Sequence, residues 1–117
     1  MQYTTLGHSG IKVSKLCLGG MSFGEPSPDF HQWTIGPDDT RAVIKRALDT
    51  GINFIDTANC YSFGTSEEYI GAACAIWESL ARASCWLARF TSTRAAFPPT
   101  PSNARSKARS SAWAPIT

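Results

Sequence analysis

Residues 51–61 read GINFIDTANCY, and this stretch decides the fold class. The segment from Ile52 to Asp56 has the length and composition of a β-strand, and it ends in a carboxylate. Apolar residues at helical spacing precede the stretch, and a helix start signal follows it. A short strand between two helices predicts an α/β protein.

The helix before this strand is predicted from both of its ends. Pro37 suits a first helical turn, because its missing N–H would be unpaired there, and the acidic residues 38 and 39 suit the positive end of the helix dipole. Apolar residues recur at helical spacing across residues 43–48, so that one face of the helix packs inward. Gly51 follows as a C-terminal cap.

A second helix and three earlier strands complete the order. The sequence TSEE at residues 65–68 is a capping box for a helix that we expect to run through residue 73. Residues 3–6 and 11–13 predict a β-hairpin, and the apolar run at residues 16–18 predicts a strand buried on both faces. The order hairpin, β, α, β, α predicts a parallel sheet, in either an open sheet or a barrel.

Composition changes sharply near residue 73. Residues 1–73 carry eight acidic and five basic side chains, whereas residues 74–117 carry one acid and six bases. All nine glycines lie at or before Gly71, and FPPTP at residues 97–101 interrupts any regular element. We therefore expect an at most partly ordered region 1–73 and a largely irregular, disordered tail 74–117, with some helix across residues 75–89.

The composition of the whole chain indicates no special partner. A net charge of +2 and a hydrophobic content of 43% point to neither nucleic acid nor a membrane. The N-terminus has no basic region followed by an apolar core, and no apolar run approaches the roughly 18 residues of a membrane span. We therefore expect a cytoplasmic protein. The four cysteines form no CxxC pair, so we expect free thiols and no metal site.

Three motifs, in order and spacing, resemble the bacterial type of aldo-keto reductase. They are LCLGGMSFG at residues 16–24, GINFIDTANCY at residues 51–61 and SEEYIG at residues 66–71. The resemblance covers residues 1–73 and implies the N-terminal part of a TIM (β/α)8 barrel, namely the β-hairpin and the first two βα units. A complete barrel needs about 250 residues. We therefore expect a truncated fragment.

The resemblance also implies a function and its residues. The family reduces aldehydes and ketones to alcohols with NADPH, so it implies this cofactor and a small-molecule carbonyl substrate. Two of the four catalytic groups of the family match Asp56 and Tyr61. In the family, the tyrosine gives a proton to the developing alkoxide. A lysine held in place by the aspartate lowers the pKa of this tyrosine, and a histidine orients the carbonyl. Gly19, Gly20 and Met21 match the wall of the nicotinamide pocket.

The family pattern breaks after residue 73, before the lysine and the histidine. We interpret the following residues as translated in the wrong reading frame. If the true frame lies one base earlier, codons can be chosen so that residues 85–91 read VLASKVY, an apolar strand that carries a lysine. This lysine would arise from the third base of the Ala88 codon and the first two bases of the Arg89 codon. We therefore expect the chain itself to be inactive.

Two alternative functions stay open. One is a non-catalytic accessory protein of the same fold that binds the cofactor. The other is a tail that binds nucleic acid or a partner through its bases and tryptophans, although it has no basic run of five or more. His8 and His31 match no catalytic histidine of the family, and we expect Trp33 and Tyr69 to be packing residues.

Overall fold

The computed structural model describes residues 1–81 and 85–90. The strands among them are β1 (Tyr3–Thr5), β2 (Lys12–Ser14), β3 (Leu18–Gly19), β4 (Phe54–Ala58) and β5 (Trp86–Phe90). The helices are α1 (Pro37–Asp49) and α2 (Thr65–Ala81), with a 3₁₀ helix at Tyr61–Gly64. This order confirms the α/β class. The expected disorder of residues 91–117 lies outside the described residues.

The parallel sheet has the order β3, β4, β5. On one side of β4, Leu18 pairs with Ile55 and Gly19 with Asp56. On the other side, five consecutive residues of β4 pair with the five residues of β5. β4 is therefore the central strand, and the prediction of a parallel sheet is confirmed.

One hydrophobic core joins this sheet to both helices. Its largest fully buried side chains are Phe23 before α1, Ile44 on α1, Ile55 on β4 and Ile70 on α2. Each side chain of this size contributes about 1.5–3 kcal/mol when it is fully buried. Because successive strand residues point to opposite faces, the burial of Ile55 leaves the side chain of Asp56 on the face away from this core.

The N-terminal hairpin is a separate sheet. β1 and β2 are antiparallel, with Tyr3 paired to Ser14 and Thr5 paired to Lys12. The hydroxyl of Tyr3 donates a hydrogen bond to the carbonyl oxygen of Gly51 at 2.9 Å. The predicted hairpin is therefore confirmed, and it is joined to the end of α1.

Helix α1 ends as its sequence predicts. Gly51 has a φ of +93°, a left-handed conformation that glycine adopts readily. Its N–H bonds the carbonyl of Leu48 at 3.0 Å, and the N–H of Ile52 bonds the carbonyl of Ala47 at 3.0 Å. These two bonds form a Schellman motif. Since this cap uses the N–H of Ile52, β4 starts at Phe54, two residues later than predicted. It continues to Ala58, so the prediction that the strand ends in Asp56 is wrong.

The strand expected at residues 16–18 is displaced. Leu16 is 59% exposed rather than buried, and β3 consists of Leu18 and Gly19. The hydroxyl of Ser14 donates to the carbonyl oxygen of Leu16 at 2.6 Å. This local bond uses an oxygen that a strand at this point would offer to a neighbouring strand.

Helix α2 continues across residue 73 to Ala81, and β5 follows it. The helix expected across residues 75–89 is therefore wrong from Trp86 onward. The side chain of Leu87 packs against the core, and the free edge of β4 supplies partners for the backbone of β5. The domain boundary at residue 73 stays a prediction.

Candidate active site

Three of the predicted site residues meet where β3 ends beside the middle of β4. Gly19 pairs with Asp56, and the N–H of Gly20 donates to the backbone carbonyl oxygen of Asp56 at 2.7 Å. The Asp56 side chain is exposed on the face away from the core. In barrel enzymes the carboxyl ends of the strands carry the active site. The geometry therefore joins the glycine pair at the carboxyl end of β3 to a carboxylate two residues before the end of β4.

Only glycine fits at position 20. A Cβ atom there would lie 2.8 Å from the carbonyl oxygen of Asp56 and 2.8 Å from Cδ1 of Ile70. It would also lie 3.1 Å from Oγ1 of Thr57. Any larger residue would push β3 away from β4 or displace the buried Ile70. Gly20 therefore sets the close approach of the two strands and has a structural role, whatever else it contacts.

Position 19 differs from position 20. A Cβ atom on Gly19 would meet nothing within 4 Å, and Gly19 is exposed. Met21 is 41% exposed. Gly19 and Met21 therefore present an open surface on either side of the buried Gly20.

Two buried hydroxyl groups, that of Ser66 on α2 and that of Thr57 on β4, lie beside Gly20. Ser66 donates its hydroxyl to the carbonyl oxygen of Gly20 at 2.7 Å. The hydroxyl oxygens of Ser66 and Thr57 lie 3.3 Å apart, and both residues are fully buried. Sequence reasoning did not single out Ser66 or Thr57. The SEEYIG motif contains Ser66, but the spacing of the motif does not predict that the side chain of Ser66 reaches back to β3.

Tyr61 begins the 3₁₀ helix that follows β4, and it is half-buried. The next two residues, Ser62 and Phe63, have φ values of 46° and 54°. Residues other than glycine rarely adopt this left-handed region. The backbone is therefore strained directly after Tyr61. Tyr61 and Met21 lie near the strand ends because they follow Asp56 by five residues and Gly20 by one.

Cys17 is a second residue that the sequence did not assign to this place. Partial burial raises the pKa of its thiol, and the negative charge of Asp56 raises it further. The thiol therefore lies within electrostatic range of the Asp56 carboxylate. Cys17 is two residues before Gly19, and this spacing puts both on the same face of an extended chain.

The residue beside Asp56 on β5 is Ala88, and Arg89 pairs with Thr57. The family lysine expected from the resemblance is absent from the part of β5 that the structure describes. The nearest lysines in the sequence are Lys45 and Lys107.

Aromatic rings cluster in the loop between β3 and α1. His31 stacks on Trp33 with ring centroids 4.4 Å apart, and Phe30 contacts His31 at 4.3 Å. Phe30 also makes an edge contact with Phe63 at 6.0 Å, close in the chain to Tyr61. Trp33 is 55% exposed, so it packs on His31 at the surface rather than in the core.

Tyr69 is held at the surface by a carboxylate. Its hydroxyl donates to Oε2 of Glu25 at 2.8 Å. Partial burial raises the pKa of Tyr69 to about 12, and the hydrogen bond and negative charge of Glu25 act in the same direction. This tyrosine is suited to remain protonated rather than to give up its proton.

Two other features, a membrane-spanning helix and a metal cluster, are absent from the described residues. No helix in residues 1–81 is long and apolar enough to cross a membrane. In the same residues and in 85–90, no three side chains of His, Cys, Asp or Glu come close enough to hold a metal ion.

Comparison with known proteins places these features in one family. The model of the aldo/keto reductase family matches residues 15–84. The chain is 44% identical over 73 residues to the versiconal hemiacetal acetate reductase of Aspergillus parasiticus, covering 62% of this chain and 21% of that protein. It is 46% identical over 71 residues to an aldo-keto reductase of Alternaria alternata, covering 61% and 19%.

A solved structure agrees in fold. The holo form of the aldo-keto reductase AKR11C1 from Bacillus halodurans superimposes with a TM-score of 0.57 at 30% identity, over 76% of this chain and 25% of that one. The chain thus spans about a fifth of the length of the curated relatives that it matches. Its described residues form a partial α/β unit of the TIM-barrel type, and the chain belongs to the aldo/keto reductase family.

Proposed function

We propose that this chain carries the first part of an NADPH-dependent carbonyl reductase site. In this proposal Asp56 and Tyr61 are catalytic residues, and Gly19, Gly20 and Met21 form the wall that faces the nicotinamide. The register between β3 and β4 is the single observation that supports this most strongly. It places Gly19 and Gly20, at the carboxyl end of β3, beside Asp56.

The surface around Gly19 fits a flat ring. It has no side chain at position 19, the space where a Cβ atom would lie is open, and Met21 offers an apolar side chain beside it. When bound, NADPH supplies a hydride to the carbonyl carbon. The part of the chain in this surface would hold the ring and exclude water from one side of it.

The proton for the alkoxide would come from Tyr61. A tyrosine ordinarily has a pKa of about 10, so it donates near neutral pH only when a nearby cation favours the phenolate. Asp56 would hold such a cation in place. The neighbouring Tyr69 is a poor alternative donor, because its hydroxyl is bonded to Glu25 and its pKa is raised.

The lysine that supplies this cation in the family is missing from the matching part of this sequence. No lysine lies between Lys45 and Lys107, and Ala88 pairs with Asp56 on β5. We infer that the chain by itself does not reduce carbonyl compounds, and that a reading-frame shift after about residue 73 removed the lysine. Sequencing the gene from codon 70 onward in all three frames tests the second inference. A minus-one frame closed by stop codons would contradict it.

A chimaeric barrel tests the proposed residues. Residues 1–73 of this chain would replace the matching segment of the Bacillus halodurans reductase, which keeps the rest of its own barrel. We expect NADPH-dependent reduction of an aromatic aldehyde, and we expect Tyr61→Phe to lower kcat by about 100-fold or more, since general acid catalysis contributes at least this much.

The control for this experiment is Tyr69→Phe, which removes a second hydroxyl of the same segment and should leave kcat unchanged. Equal activity of Tyr61→Phe and the parent chimaera would contradict the proposal. For the natural chain, we expect no saturable NADPH binding in the micromolar range by fluorescence titration. The adenosine and phosphate contacts of the family come from barrel segments outside the matched residues.

A further inference from the structure

The sulfur atoms of Cys74 and Cys85 lie 2.7 Å apart in the interior of the molecule. Cys74 is on α2 and is 4% exposed, and Cys85 directly precedes β5 and is 9% exposed. A disulfide bond is about 2.05 Å long, so a small movement of either side chain would bring the sulfurs to bonding distance. The two side chains are already directed at each other.

The pair has a defined place in the fold. Both cysteines belong to the core cluster, together with Ile55 on β4 and Ile70 on α2. The backbone N–H of Cys85 lies 3.4 Å from Oε1 of Glu78, which is also on α2. Hence the residue at the start of β5 is held against α2 by its side chain and by its backbone.

We propose that Cys74 and Cys85 are an oxidation site at which a small-molecule disulfide, such as oxidised glutathione, forms a bond that joins β5 to α2. This site is independent of the reductase proposal, because neither cysteine is among the residues assigned to catalysis. The bond would fix the strand that pairs with Asp56 through Ala88.

The reaction is a double thiol–disulfide exchange. The thiolate of Cys85, the more accessible of the two, attacks one sulfur of oxidised glutathione and displaces one glutathione thiolate. The thiolate of Cys74 then attacks the sulfur of Cys85 and displaces the second. Two electrons pass from the protein to the glutathione disulfide, and the two released thiolates take up the protons that the cysteines lose.

The order of attack follows from the environment of each thiol. The hydrogen bond with Cys85 and burial raise the pKa of Cys74, so little of its thiolate is present before the first exchange. Since both thiols are buried, the first step requires a brief opening between α2 and β5. We therefore expect slow oxidation that gives one specific product.

The experiment treats the full-length chain with oxidised glutathione and digests it with trypsin and Glu-C protease without reduction. These enzymes give one peptide, residues 69–78, that contains Cys74 alone, and another, residues 83–89, that contains Cys85 alone. Mass spectrometry should find these two peptides linked, while Cys17 and Cys60 carry glutathione or remain free. A mixture of all cysteine pairings under native conditions would overturn the proposal.

Two controls separate folding from chance pairing. The double variant Cys17→Ser/Cys60→Ser should form the bridge at the same rate as the natural chain. Oxidation in concentrated urea should instead give several pairings, because the unfolded chain brings Cys60 near Cys74 almost as often as Cys85. The same single product in urea would show that the fold does not direct the bond, and would also overturn the proposal.

Discussion

The two edges of β4 are paired in different ways. Towards β3 only two residue pairs form, but side chains fix them: Gly20 leaves room for no Cβ atom, and Ser66 holds the carbonyl of Gly20. Towards β5 five residue pairs form, and the interior contacts beside them come from Cys85 and Leu87. The β3 edge is short, and specific contacts of Gly20 and Ser66 fix its pairing. The β5 edge is longer, and apolar contacts hold it.

The two edges therefore differ in how strictly the strand register is fixed and in how many residue pairs form. A one-residue slip of a strand turns every side chain to the opposite face. At the β3 edge a slip that moved Met21 to the place of Gly20 would put a side chain where none fits, so packing restricts the register of Gly19 against Asp56. At the β5 edge neither Leu87 nor Ala88 offers a glycine or a polar side chain that could restrict the register in this way. The family motifs lie along the β3 edge, where the proposed site needs a defined register between the strands.

The largest effect expected comes from the core that both edges share. Ile55→Ala should lower the free energy of unfolding by about 3 kcal/mol, because it empties a fully buried site at the centre of the sheet. Leu87→Ala on β5 is the matched comparison, and it should cost less, since Leu87 is only half-buried. Urea unfolding followed by circular dichroism measures both. Equal losses of stability would show that Leu87 is packed as tightly as Ile55.

The next effect sharpens the difference between neighbouring glycines. Gly20→Ala should destabilise the chain by about 2 kcal/mol through overpacking against Asp56 and Ile70. Gly19→Ala, one residue earlier, should change stability by less than about 0.5 kcal/mol, because its added methyl group meets open space. The same unfolding measurement applies. Equal free energies of unfolding for the two variants would contradict the close approach of β3 to β4 at Gly20.

A smaller effect concerns the link between the hairpin and β4. The side-chain oxygen of Asn53 accepts the N–H of Ser14 at 2.8 Å, and its amide donates to the carbonyl of Lys12 at 3.2 Å. Asn53→Ala should cost about 1–2 kcal/mol, because partly buried backbone groups lose their partners. Thr4→Ala, on the exposed strand β1, is the control and should have little effect. A neutral Asn53→Ala would mean that the hairpin contributes nothing to the strand edge.

The smallest effect is a pH dependence at the surface. The folded chain raises the pKa of Tyr69 to about 12 from an unfolded value near 10, so folding favours the protonated phenol. Its stabilising contribution is complete below pH 10 and is lost as the pH rises towards 12. Because its hydrogen bond with Glu25 lies at the surface, where solvent screens the charge, the loss should be small. Tyr69→Phe should remove this part of the alkaline decline, measured as the difference between two unfolding profiles.

The sequence predicted those elements that local rules specify. The cap at Gly51, the first turn at Pro37 and the apolar face of α1 each depend on residues near one another in the chain. The family motifs assigned Gly19 and Asp56 to one site, but they did not specify that the two residues pair across neighbouring strands. The assignment of Asp56 and Tyr61 to catalysis stays a prediction.

Other features depend on distant contacts, so no local pattern contains them. Cys17 reaches the charge of Asp56, and Ser66 reaches Gly20, only after the chain has folded. β5 forms because β4 offers a free parallel edge, a condition that composition does not reveal. Ser62 and Phe63 adopt left-handed backbone that their residue types disfavour. Physical context outweighs residue preference at each of these positions.

Amide hydrogen exchange in the full-length chain tests the central claim most directly, namely that β4 is an inner strand bearing Asp56 between two parallel neighbours. Peptides that cover residues 54–58 should exchange more slowly than those that cover the hairpin strands at residues 3–5 and 12–14. The amide of Gly20, bonded to the carbonyl of Asp56, should be protected together with β4. Exchange of residues 54–58 as fast as the hairpin would contradict the account.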